Sequence, residues 1–95
     1  MAIPKMIESD YDMAAKEIGL MIGIPETLYM WTVSRFSTAY MEFWNEEWFV
    51  WRETYREGTK KSISLKLIAR GNTFEYTLMQ FEKYINYITR KRGYE

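Results

Sequence analysis

The sequence predicts a small single-domain α+β fold of order α-α-β-β-α, an antiparallel hairpin packed on helices. Three observations predict it. Ser62–Ala69 alternates strictly, with Ile63, Leu65 and Leu67 to one side and Ser62, Ser64 and Lys66 to the other, which is the period of a half-buried strand. Phe74, Leu78, Phe81, Ile85 and Ile88 recur at three- and four-residue steps, the period of a helix with one apolar face. Eight of the seventeen aromatics fall between Phe36 and Tyr55, and side chains of that size dominate whatever core they join. The alternative is a mostly helical chain, with a long second helix and a short strand pairing across a dimer.

The elements follow in order. Pro4 disfavours helix through Ile3, so residues 1–6 read as an irregular lead-in. Ser9 or Asp10 suits an N-cap, and Tyr11, Ala14, Ala15, Ile18, Met21 and Ile22 give a first helix over 10–22. Gly23-Ile24-Pro25-Glu26 reads as a stop, a turn and a new start. Tyr29, Val33, Phe36, Tyr40 and Phe43 then step by four and three, which predicts a second helix over 25–46.

Residues 46–57 admit two readings. Met41, Trp44, Trp48, Trp51 and Tyr55 continue the helical spacing as far as Glu57. Trp48-Phe49-Val50-Trp51 instead prefers a strand, and the 62–70 strand needs a partner, so a hairpin of 48–56 with 62–70 is favoured. Keeping Phe49, Trp51 and Tyr55 on the face of Ile63, Leu65 and Leu67 sets Tyr55 opposite Ile63 and Trp51 opposite Leu67, around a Gly58-Thr59-Lys60 loop. That register brings Glu53 beside Leu65, on the face expected to turn inward. Asn72 and Glu75 resemble a capping box at the head of the last helix, expected over 73–91.

Composition limits the function classes. With no His and no Cys, the commonest general base, the thiol nucleophile and most transition-metal ligand sets are missing, so no enzyme, cofactor or metal is expected. Glu42, Glu46 and Glu47 cluster, with Glu42 and Glu46 neighbours on the expected second helix, and they read as a solvated face. No apolar run approaches the roughly 18 residues that span a bilayer, and the chain lacks cysteine. The expectation is a cytoplasmic protein with no membrane partner. The net charge of zero hides an asymmetry: residues 1–57 hold five Lys/Arg against ten Asp/Glu, and residues 58–95 hold eight against three.

Two kinds of partner fit this pattern. The leading expectation is a non-catalytic interaction module, a regulator or inhibitor that binds another protein or a second copy of itself. Its partner-binding residues would be Trp44, Trp48 and Trp51 with Glu42, Glu46 and Glu47. Small size and a thin catalytic inventory would suit a viral or mobile-element origin. The rival is a DNA- or RNA-binding regulator. It would use a basic outward hairpin face (Arg52, Arg56, Lys66 and Arg70, extended by Lys60 and Lys61) and the helix end Arg90, Lys91 and Arg92. The stretch from Gly19 through Gly23-Ile24-Pro25 to Thr27-Leu28-Tyr29 and Trp31 also resembles the turn of a helix-turn-helix DNA-binding unit, one residue short between Gly23 and Leu28. A tight corner between two helices is the plainer reading of that stretch.

Overall fold

The computed structural model describes residues 9–58 and 62–92. The element order is α1 (Asp10–Glu17), β1 (Met21–Ile24), β2 (Leu28–Ser34), β3 (Ser37–Trp44), β4 (Glu47–Tyr55), β5 (Ser62–Gly71) and α2 (Phe74–Arg92). The five strands form one antiparallel meander in chain order, β1-β2-β3-β4-β5. The expected order α-α-β-β-α is therefore wrong, as is the mostly helical alternative. The span taken for a second helix, 25–46, is a hairpin of β2 and β3.

Short turns make that hairpin. Ser34 pairs with Ser37 around Arg35-Phe36, and Trp44 pairs with Glu47 around Asn45-Glu46. Asn45 and Glu46 have φ of 52° and 65°, the pair of left-handed residues that matches the twist of a two-residue hairpin. The corner resembling a helix-turn-helix is the β1–β2 connection. Thr27 N–H donates to the Ile24 carbonyl at 3.0 Å across Pro25 and Glu26, and Glu26 has φ 61°.

α1 is shorter than the expected 10–22. Ser9 is its N-cap, its hydroxyl accepting from Asp12 N–H at 3.1 Å. The helix stops at Glu17 because Gly19 adopts φ 94°, which lets Gly19 N–H reach the Lys16 carbonyl and Leu20 N–H the Ala15 carbonyl. Leu20 is buried just beyond that stop. α2 matches its expected span, but its cap is Thr73 and not Asn72: the Thr73 hydroxyl accepts from Tyr76 N–H at 3.2 Å.

Both helices lie on one face of the sheet. The core between the layers holds Ala15 of α1, Tyr29, Val33, Ala39, Met41, Trp48 and Val50 of the strands, and Phe74, Phe81 and Ile85 of α2. Tyr11 stacks on Phe74 at 4.0 Å and meets Trp48 edge-on at 6.0 Å, which locks the two helices to β4. Gly71 ends β5 where the chain turns into α2. A Cβ there would lie 2.7 Å from both the Thr77 hydroxyl and the Tyr76 ring, so glycine allows this close approach. No helix among the described residues is long and apolar enough to cross a membrane.

Candidate functional site

The hairpin of β4 with β5 exists, and its central register is the expected one: Trp51 pairs with Leu67 and Glu53 with Leu65. Tyr55 pairs with Ser62 and not Ile63, because the register slips at Ile63 and again at Ile68. The orientation is opposite to the expectation. Leu65 and Leu67 are 66% and 56% exposed, and Ile63 is exposed as well. The helices cover the side that carries Trp48, Val50 and Ala69, so the side with Phe49, Trp51, Leu65 and Leu67 is left open.

Cross-strand pairing then builds an apolar row. Met21 pairs with Met30, Met30 with Tyr40, Tyr40 with Trp51, and Trp51 with Leu67, so five apolar side chains line up across all five strands. Directly opposed side chains in a sheet touch, and the Tyr40 and Trp51 rings stack at 5.2 Å. Beside this row Glu42 pairs with Phe49 and Phe49 with Arg70. Trp44, 65% exposed, leans toward Phe49 with centroids 6.4 Å apart. Glu42, Trp44, Phe49, Trp51, Leu65, Lys66 and Leu67 line a shallow groove of about 500 Å³ on this face.

Polar groups frame the groove. Glu47 accepts a fork of hydrogen bonds from Arg70 at 2.8–3.0 Å, and the same guanidinium lies 5.5 Å over the Phe49 ring. That geometry fixes the Phe49 edge of the groove by both charge and ring contact. Tyr40 and Tyr55 join hydroxyls at 3.2 Å. Hydrogen bonding to Glu53, then to Tyr40, with a further contribution from burial, pushes the Tyr55 hydroxyl pKa well up, so it remains a neutral donor.

The expected site residues separate accordingly. Trp44 and Trp51 belong to the open face, with Glu42 and Glu47 beside them. Trp48 is 4% exposed and sits in the core against Phe74, Tyr29 and Tyr11. Glu46 occupies the β3–β4 turn, so the three glutamates share no helix face.

The basic set does not share one surface. Arg52 faces the helix layer, where it donates to the Ser37 hydroxyl and, at 3.0 Å, to the Tyr84 hydroxyl of α2. It thereby ties α2 to the sheet. Lys66 pairs with Arg52 across the strands, and Arg70 lies on the opposite, open face with Glu47. Arg56 follows β4 and also has an interaction partner. Lys60 and Lys61 lie outside the described residues. Arg90, Lys91 and Arg92 are exposed at the end of α2, with the Lys91 ammonium 6.0 Å over the Tyr87 ring. Met30, Tyr40 and Leu67 were not among the expected site residues, and period-2 spacing within β2, β3 and β5 was the available signal. Comparison with protein-family models, with curated proteins and with solved structures finds no match to this chain.

Proposed function

We propose that the chain is a non-catalytic interaction module that docks a protein partner against the open face of its sheet, and so acts as a regulator or inhibitor. The observation that carries this reading is the apolar row from Met21 to Leu67 with Trp44 and Leu65 beside it, all on the face without a helix. Monomeric proteins rarely carry contiguous apolar patches beyond a few hundred Å² without using them. Aromatic anchors ringed by a polar rim are also the composition of binding hot spots. The rim bears Glu42, Glu53 and the neutralised Glu47–Arg70 pair, a balance that suits a protein surface better than a polyanion.

The test is capture from a native lysate, with nuclease added to remove nucleic-acid bridging. Trp44→Ala and Leu67→Lys should abolish capture while leaving the circular dichroism spectrum and melting temperature close to wild type. Met79→Lys, on the exposed side of α2, should leave capture intact. Capture that survives both face substitutions refutes the reading.

A further inference from the structure

We propose that the β5 edge beside this face pairs with a second copy of the chain, antiparallel and edge to edge, with Leu65 on the two-fold axis. The inference goes beyond the docking reading above, since an edge pair leaves the open face free for its own partner. β5 is the last strand of the meander, and among the described residues it pairs only with β4. A long edge strand with exposed apolar side chains is a template for another strand unless something blunts it. Among the described residues no helix overhangs its first half, where residues 62–67 are all exposed, and the stretch between the bulges at Ile63 and Ile68 holds no proline and one charge, Lys66.

The register follows from the strand itself. Slips at Ile63 and Ile68 bound a regular stretch of four residues, Ser64 to Leu67, so a centred two-fold falls on Leu65 or Lys66. An axis on Lys66 would set two ammonium groups opposite each other, which is destabilising. An axis on Leu65 pairs Leu65 with its own copy, Leu67 with Ile63 of the second copy, and Lys66 with Ser64 of the second copy. Leu65 then meets its own copy, and the two ammonium groups stay apart. The product is one continuous ten-stranded sheet whose isologous contact closes on itself.

The absence of cysteine gives a clean test. Residues opposite each other in an antiparallel pair have Cα atoms roughly 4.5–5.5 Å apart, inside the span a disulfide bridges. Leu65→Cys should therefore form a covalent dimer under mild oxidation at least tenfold faster than Tyr76→Cys, an equally clean single thiol on the exposed side of α2. Wild type should sediment as a dimer at micromolar concentration, and Leu65→Lys or the milder Leu65→Ser should shift it toward monomer with the circular dichroism spectrum unchanged. A wild type that stays monomeric at several hundred micromolar, a Leu65→Lys chain that stays dimeric, or equal oxidation rates for the two cysteine variants would each overturn the pairing. Such a result leaves the docking face to its own test, since Trp44→Ala is scored there on capture of a different protein.

Discussion

Asp12 is the one buried carboxylate in the described core, and it offers the most direct check on how α1 is attached. Its Oδ1 accepts from the Tyr29 hydroxyl at 2.6 Å and from Glu26 N–H at 2.9 Å, so a single oxygen joins α1, the β1–β2 turn and the middle of the sheet. Burial pushes the Asp12 carboxyl pKa up, but the donors from Tyr29, Glu26 and Ser9 and the charge of Lys16 outweigh it and hold it below the ordinary value. Tyr29→Phe keeps the ring in its fully buried place and removes one hydrogen bond to a charged acceptor, which costs about 1.5–3 kcal/mol. Asp12→Ala leaves the Tyr29 and Glu26 donors without a partner and should cost about 2–6 kcal/mol, at roughly 1–3 kcal/mol for each. For a domain of this size each kcal/mol lowers the melting temperature by about 4–8 °C, so Tyr29→Phe should melt about 6–24 °C below wild type. A double-mutant cycle in urea should return a coupling above about 1 kcal/mol, whereas independent sites add to within about 0.5 kcal/mol. The pH dependence has a fixed sign. A carboxyl whose folded pKa is depressed contributes stability above its unfolded pKa and loses it as pH falls through the folded one. Wild type should therefore lose stability from about pH 4 downward, and Asp12→Asn should lose less. Additive losses in the cycle, or an unchanged acid limb in Asp12→Asn, would refute this account of the attachment.

Three further substitutions test other joints. Glu46→Gly converts the β3–β4 turn to Asn-Gly, relieves a left-handed glutamate, and should raise stability by up to about 1 kcal/mol in denaturant melts. Gly71→Ala forces a Cβ against Thr77 and Tyr76 where the neighbours are packed, and should cost about 1–3 kcal/mol on thermal unfolding. Arg52→Met removes the donor to Tyr84 and Ser37, and amide exchange should speed up in α2 before it does in β3.

The last helix and the central β4–β5 register, Trp51 with Leu67 and Glu53 with Leu65, were legible because each had one competing signal at most. In Phe74–Ile88 the apolar stripe and the cationic end agreed, and α2 formed where expected. Residues 25–46 carried two signals. Tyr29 and Val33 are four apart, a spacing that keeps one face in a helix and also in a strand, so the four-residue step did not discriminate. The three-residue steps through Phe36 do discriminate, but Phe36 lies in a turn, where it has no face to keep. Within each strand the period is two: Tyr29, Trp31 and Val33 in β2, then Ala39 and Met41 in β3. Arg35-Phe36 is a turn without Gly, Pro, Asn or Asp, so the break between those two runs carried no punctuation.

The open face was harder to read for a different reason. β4 is apolar on both sides, with Trp48 and Val50 on one and Phe49 and Trp51 on the other, and alternation alone cannot say which pair turns inward. β5 alternates cleanly, and a clean alternation normally points its apolar set at the core. Its polar set is small, however: serines and one lysine on a strand whose first half projects past the helix layer. What decides the orientation is the rest of the sheet. The covered side of β3 carries Ser37, Ala39 and Met41, small or unbranched residues that let α2 approach, and the other side carries Tyr40, Glu42 and Trp44. Glu42 is paired through Phe49 to Arg70, and Glu53 to Leu65, so the face holding Leu65 and Leu67 is also the one that must keep Glu42, Glu53 and the Glu47–Arg70 pair in water. Burying it under a helix would desolvate all of them, at several kcal/mol for each ion left without a partner. The charged positions therefore fix the side that stays open, and the aromatic and aliphatic residues beside them remain available for contact there.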